Sequence, residues 1–330
     1  MKVGMTTRKI SGFMNRSQDV PYDILVVFIV VQLACIAGGL LFPDSFRYLS
    51  PANISVQLKA IPVLGVIALG VGILMISGEF DLSVGANYTF TAIVMATMVQ
   101  DGKSAFIAAP VALLIGIFIG LLNSFVTLRF NIPSFIATLG AMLFWRGMTL
   151  FYHGATSLRF RPEQAFSDLM AGAVGPFEAA FLWFLALTVL FWAILHHHKL
   201  GNHFFAVGGN KQAANAIGIN PDRTKAIAFG IAGFCAALSG ILSTARVGSI
   251  LPGSGLGLEL TAIAACVIGG LSLTGGRGTI IGIFLGAVLM YTIQDVLLLA
   301  RAPGFYLDIF VGVLIVVAAI FNEQVRQRRK

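Results

Sequence analysis

Residues Ala105–Phe125 read AFIAAPVALLIGIFIGLLNSF, 21 positions without a charged side chain. About 20 apolar residues are what a helix needs to cross the hydrocarbon core of a bilayer. Lipid offers no partners for backbone N–H and C=O groups, so only helices and closed barrels can span it. Barrel strands alternate apolar and polar residues. This stretch does not alternate, so it reads as a membrane helix.

Nine more stretches read alike: Ile24–Phe42, Ile61–Ile76, Leu82–Val99, Phe135–Phe151, Ala179–Leu195, Ala226–Val247, Leu260–Leu271, Ile280–Leu299 and Leu307–Phe321. The fold class expected is therefore an all-α polytopic membrane protein of about ten transmembrane helices. They form a single domain, 23–322, between a tail at 1–22 and a basic tail at 323–330. Ile61–Ile76 and Leu260–Leu271 fall short of a full span, and each runs into a glycine-rich turn. Either they are broken helices or their boundaries lie a few residues away. Composition agrees, with 57% hydrophobic and 11% charged residues. Soluble domains carry about 25% charged residues. Ile24–Phe42 is too long for the apolar core of a signal peptide and no small-residue cleavage site follows, so it reads as the first span. Cys35, Cys235 and Cys266 sit inside apolar runs and are odd in number, which points to buried small residues and not to disulfides or a metal set.

The net charge is +8, but its distribution excludes a nucleic-acid surface. Lys2, Arg8, Lys9 and Arg16 precede the first run; Arg326, Arg328, Arg329 and Lys330 follow the last; Lys199, Lys211, Arg223 and Lys225 share one central polar stretch, 196–225. Cationic loops stay on the cytoplasmic side. Both termini and the central stretch are thus expected inside, which ten crossings allow. His196, His197 and His198 mark the inner end of a span, since consecutive residues do not share a helix face as chelating ligands would. Arg146 and Asp295 lie within spans and are expected to pair, because a buried charge needs a partner.

Ile115–Gly120 reads IGIFIG and Ile281–Gly286 reads IGIFLG; Pro133-Ser134-Phe135 and Pro303-Gly304-Phe305 follow at similar offsets. The two pairs of spans run in opposite directions, as an inverted repeat requires. Gly116 and Gly120, and Gly278, Gly282 and Gly286, recur every four residues. That spacing lets helix backbones approach closely in lipid.

Three segments interrupt the apolar pattern. Ser77–Asn87, SGEFDLSVGAN, brings Glu79, Asp81, Ser83 and Asn87 together. They face a cavity or pore, or form a turn in which Asp81 caps the next helix. Gly269–Gly278, GGLSLTGGRG, carries Ser272 and Thr274. It lacks the lysine of a P-loop and follows no strand, so ATP, if used, is hydrolysed by another polypeptide. In the central stretch Asn210 is a good cap for a helix over Lys211–Ile217, Gly218 stops it and Pro221 follows. A helix of two turns is marginal alone. It docks either on a partner or on its own protein.

Four stretches carry a family resemblance. Gly78–Gly85 (GEFDLSVG), Ile132–Gly147 (IPSFIATLGAMLFWRG), Ala206–Ile219 (AVGGNKQAANAIGI) and Glu259–Gly278 (ELTAIAACVIGGLSLTGGRG) resemble, in order, the signatures of permeases in the ribose/monosaccharide family of ATP-binding-cassette (ABC) importers. The resemblance covers roughly 61–323. It implies a ten-helix fold with inverted halves, like that of the vitamin B12 permease, in a bacterial inner membrane. A second permease copy, identical or paralogous, would complete the pore within membrane lipid, and a periplasmic sugar-binding protein would deliver a monosaccharide or similar polyol. Cytoplasmic ABC ATPase subunits, holding ATP and Mg, would dock on Gly208, Gly209, Asn210, Lys211, Ala213, Ala214, Gly218 and Ile219. The chain itself would bind no cofactor or metal and carry no catalytic residue. The pathway would run past Glu79, Asp81, Ser83, Asn87, Phe135, Thr138, Ser272 and Thr274, by alternating access. Glu79 stands where the family has a small residue and Asn202 where it often has Arg. The alternative is an ion-coupled secondary transporter using Glu79, Asp81 and Asp295. A membrane-embedded enzyme lacks any nucleophile–base or metal set here.

Overall fold

The computed structural model describes residues 22–175 and 177–327. The described helices are α1 (Tyr22–Leu41), α2 (Pro51–Ile76), α3 (Val84–Gln100), α4 (Ala105–Arg129), α5 (Ser134–His153), α6 (Gln164–Ala171), α7 (Ala179–His197), α8 (Lys199–Gly209), α9 (Lys211–Ala216), α10 (Pro221–Val247), α11 (Leu258–Ile268), α12 (Ile280–Leu299) and α13 (Phe305–Gln327). Two short antiparallel ladders tie loops together: β1 (Leu158–Arg159) with β4 (Ser249–Ile250), and β2 (Ala173–Val174) with β3 (Phe177–Glu178). The N-terminal tail and residues 328–330 lie outside the described residues.

Each of the ten expected spans is a helix. Among the described residues seven of them, α1, α2, α4, α5, α7, α10 and α12, are long and apolar enough to cross a membrane by themselves. α3 has 17 residues, including the buried Asn87, Thr89 and Thr91. It is walled off by other helices and so need not be lipid-soluble. The two short spans resolve differently. α2 is a full helix of 26 residues that starts at Pro51, with the Ser50 hydroxyl accepting from Asn53 N at 3.2 Å. Its first turns are polar, which hid them from an apolar count; Asn53 and Gln57 donate to Asp295, and Lys59 pairs with Glu178 at 3.2 Å. α11 is truly short, at 11 residues. That is about 16 Å at 1.5 Å per residue, half a bilayer.

α2 and α10 form the buried centre: 83% and 78% of their most apolar stretches are enclosed, against 17% for α1. α3 and α4 pack on α10, and α11 and α12 pack on α2. α5 closes over α3 as α13 closes over α11. The two central helices run antiparallel, since Ser239 Oγ donates to the Val63 carbonyl at 2.6 Å while a Cβ on Gly70 would lie 2.7 Å from Cys235 Cβ. The units α2–α5 and α10–α13 are therefore inverted copies that exchange their first helices. The matched glycines mark equivalent helices but different faces. Gly116 and Gly120 lie against α10, where a Cβ on Gly116 would sit 2.7 Å from the Gly233 carbonyl oxygen. Gly282 and Gly286 lie against α11, where a Cβ on Gly286 would sit 2.9 Å from the Gly269 nitrogen. Gly278 stands in the turn before α12, packed on Leu271. Outward, Leu114, Phe118, Leu143, Phe144 and Val313 form an exposed apolar belt suited to lipid.

Candidate coupling and translocation site

The three polar segments of the sequence meet at one end of the bundle. Residue Gly208, near the end of α8, packs against the last carbonyl of α2: a Cβ there would collide with Ile76 O and lie 2.7 Å from Gly276 N. The Gly276 amide itself donates to Ile76 O at 2.8 Å. Next to it Gly275 packs on Gly78, with a Cβ position 2.7 Å from Gly78 Cα. The turn after α2, the turn after α11 and the end of α8 thus touch backbone to backbone, a contact that any side chain would hold apart.

The turn 77–83 is fixed from four sides. Its Phe80 and Leu82 amides donate to Ser134 Oγ (3.1 Å) and Thr138 Oγ1 (3.0 Å) on the first turn of α5. Asp81 does not cap α3 as its spacing suggested. Ser83 holds the cap position without a side-chain bond to the helix, and Asp81 Oδ1 instead accepts from the Ser83 amide and hydroxyl, both at 2.7 Å. Asn123 of α4 closes the network, donating to Asp81 Oδ2 (3.1 Å) and Ser83 Oγ (2.7 Å). Asp81, Ser83 and Asn123 are all buried. Glu79 pairs with Lys225 of α10, and both side chains are nearly enclosed.

The other candidates divide by environment. Thr138 is buried and bonds back to Ser134 O. Asn87 is buried and donates to Gly116 O at 3.1 Å. Phe135 is exposed on α5, and Ser272 and Thr274 share a hydroxyl contact of 2.9 Å at the outer side of their turn. Arg146 does not pair with Asp295. It reaches Glu259 of α11 at 2.7 Å and so joins two of the four family-like stretches. Asp295 sits further along α12 among amide donors. Charge scarcity identified Arg146 correctly as needing a partner but could not choose between two carboxylates on different helices. Sequence reasoning missed Asn123 altogether, although an amide inside the run LLNSF was a visible signal. It also counted Lys225 only as a loop cation.

The central stretch contains two helices where one was expected. His198 Nδ1 accepts from the Leu200 amide and opens α8, whose Phe204 and Val207 are buried. Asn210 Oδ1 accepts from the Ala213 amide at 2.9 Å and opens α9, as its sequence indicated. On α9 Ala214 is buried and Lys211 and Ala213 are exposed; just past its end Ile217 is 73% exposed at the tip and Gly218 is exposed. Asn202 is exposed on α8.

Antiparallel halves, polar turns locked by glycines and a capped helix with an exposed apolar tip define the class: a multi-pass membrane transport permease. The chain belongs to the family described as branched-chain amino acid transport system permease components, which it matches over residues 53–319. It is similar to the autoinducer 2 import system permease protein LsrC of Salmonella choleraesuis (strain SC-B67), with 33% identity covering 86% of this chain and 82% of the relative. The proteins of the same name from Shigella flexneri and Escherichia coli (strain K12 / DH10B) are each 32% identical, covering 92% of this chain and 87% of theirs. No solved structure matches the chain. The protein is thus a membrane permease component of an ABC-type importer, in line with the motif resemblance. The ion-coupled alternative gains nothing from the geometry. Asp295 lies 15 residues along α12 from its start beside the polar turns, about 22 Å away.

Proposed function

We propose that this permease carries a monosaccharide or similarly sized polyol across a bacterial inner membrane by alternating access. The relatives' names make autoinducer 2 a candidate cargo. In this reading both termini and the α8–α9 segment are cytoplasmic. An ABC ATPase holding ATP and Mg docks on α9, a periplasmic binding protein delivers the cargo, and a second permease completes the pore. The observation that carries the reading is the path from Ile217 to the turns. An exposed apolar tip on a six-residue helix is a contact awaiting a partner. α8 connects that tip rigidly to Gly208, which abuts the ends of α2 and the turn after α11. Displacing α9 must displace those turns, because close-packed backbone cannot be compressed.

The test is a pull-down from mild detergent. The expected result is a P-loop ATPase in stoichiometric amount, lost in Ala213→Arg and Ile217→Asp, whose side chains face solvent. No such partner, together with uptake that collapses when the proton or sodium gradient is abolished, would refute the proposal.

A further inference from the structure

A cavity of about 500 Å³ lies between α2, α11, α12 and α13, bounded by residues such as Leu64, Leu258 and Val311. Drug-sized ligand sites span roughly 300–1,000 Å³. It belongs to the half of the bundle away from α8. Its α2 residues, Ala60–Leu64, precede Ile76 by at least 12 positions, about 18 Å of helix. Five polar side chains line it: Arg246, Thr261, Tyr291, Gln294 and Asp308. Arg246 is the unusual one. Its Nε is buried and makes no hydrogen bond, and among the described residues it enters no ion pair. Asp308 faces the same space without pairing with it. A cation in the last turn of α10 whose buried donor has no partner calls for an explanation.

We infer that this cavity binds a small neutral molecule rich in hydroxyl groups, with Arg246 donating to one of its oxygens. A hydroxyl can accept from Arg246 and another can donate to Asp308, so the ligand bridges charges that the protein leaves apart. The lining carries one charge of each sign, so it favours neither an anion nor a cation overall. Gln294 and Thr261 both donate and accept, and the Tyr291 ring offers an apolar face to the C–H side of a polyol. The inference rests on the import reading above, in which the cavity is the vestibule on the delivery side.

The experiment uses the full chain in phosphatidylcholine nanodiscs, titrated with radiolabelled D-ribose and, separately, autoinducer 2, followed by uptake assays with its partners in proteoliposomes. Losing one charge-assisted hydrogen bond weakens binding on the order of 10-fold or more. Arg246→Gln is expected to raise Kd and KM by about that factor for whichever ligand binds, and Gln294→Leu, which removes a neutral hydrogen bond, by a smaller one, with kcat and ATPase assembly unchanged. Arg246→Lys, which keeps a donor, is expected to recover part of the loss. Wild-type binding that neither substitution alters overturns the inference and leaves the import reading intact. The inference is equally overturned if neither probe binds the wild type, or if Arg246 instead releases a co-purified phosphatidylglycerol on substitution. Failure of the import reading shows separately, as binding to the permease without ATP-dependent uptake.

Discussion

Substituting Gly208 and Gly209 by alanine, one at a time, separates close approach from backbone conformation. Neither glycine has a positive φ, so alanine can adopt both backbones without strain. In a helix alanine is favoured over glycine by roughly 0.5–1 kcal/mol. At Gly209 nothing lies within 4 Å of the added carbon, so Gly209→Ala is expected to be neutral or stabilising by a few tenths of a kcal/mol near the helix end. At Gly208 the added carbon meets Ile76 O and lies 2.7 Å from Gly276 N, neither of which is a flexible side chain. Overpacking of this kind costs typically 1–3 kcal/mol. If the carbonyl and amide are pushed apart, their 2.8 Å hydrogen bond is lost as well, at roughly 1–3 kcal/mol for the orphaned groups. Set against the helix gain, Gly208→Ala is destabilising by about 1–5 kcal/mol. Thermal unfolding of the purified permease in detergent is the assay, and Gly208→Ala is expected to melt at least about 2 °C below wild type, at 2–4 °C per kcal/mol. Cargo uptake should fall with it, because the joint between α8 and the two turns is altered. A Gly208→Ala protein that melts at or above wild type, or a Gly209→Ala protein that falls as far, refutes the close contact.

Three further expectations follow from named contacts. Glu79→Gln leaves the Lys225 ammonium enclosed without its partner, a loss of about 3 kcal/mol for a broken buried pair; stability in denaturant should recover when Lys225→Met is added, while uptake is altered without loss of insertion. A double-mutant cycle between Arg146 and Glu259 should give a coupling of about 1–3 kcal/mol, and the cycle between Arg146 and Asp295 less than about 0.5; the reverse order contradicts the 2.7 Å pairing. In the loop before α6, hydrogen bonds from the Ser104 hydroxyl and from backbone amides, Ala105 among them, hold the Glu163 carboxyl below its usual range. A depressed carboxyl contributes stability above its unfolded pKa and loses it as pH falls through the folded value, so melting temperature should drop on acidification below pH 4.5 more in wild type than in Glu163→Gln.

Helix existence was legible because lipid imposes it. Every apolar run of sufficient length became a helix, and the glycine–asparagine–glycine punctuation of 209–218 located α9. Boundaries were less legible where polar residues belong to the span. The start of α2 carries Asn53, Gln57 and Lys59 because α12 and β3 supply their partners, and nothing in the local sequence announces those. Partner choice was the least legible part. Arg146 and Glu259 are 113 positions apart, and only the fold decides that α5 meets α11. The same holds for the glycines at 78, 208 and 275, whose individual turn-forming character is plain but whose mutual contact is a tertiary fact.

The polar turns at 77–83 and 269–279 look like counterparts in sequence, each following a short apolar run. The inverted arrangement shows that they are not. With α2–α5 matched to α10–α13, the turn 77–83 between α2 and α3 corresponds to 248–257 between α10 and α11, and the turn 269–279 corresponds to 101–104. Inversion carries each counterpart to the opposite end of the bundle. One end therefore receives two glycine-rich turns from unlike places in the repeat, packed onto each other and onto α8. The other receives 248–257, bordering through Leu256 and Gly257 the cavity with Arg246 and Asp308. The repeat supplies the scaffold twice, and the departures from it are α8–α9 at one end and the cavity with Arg246 and Asp308 at the other.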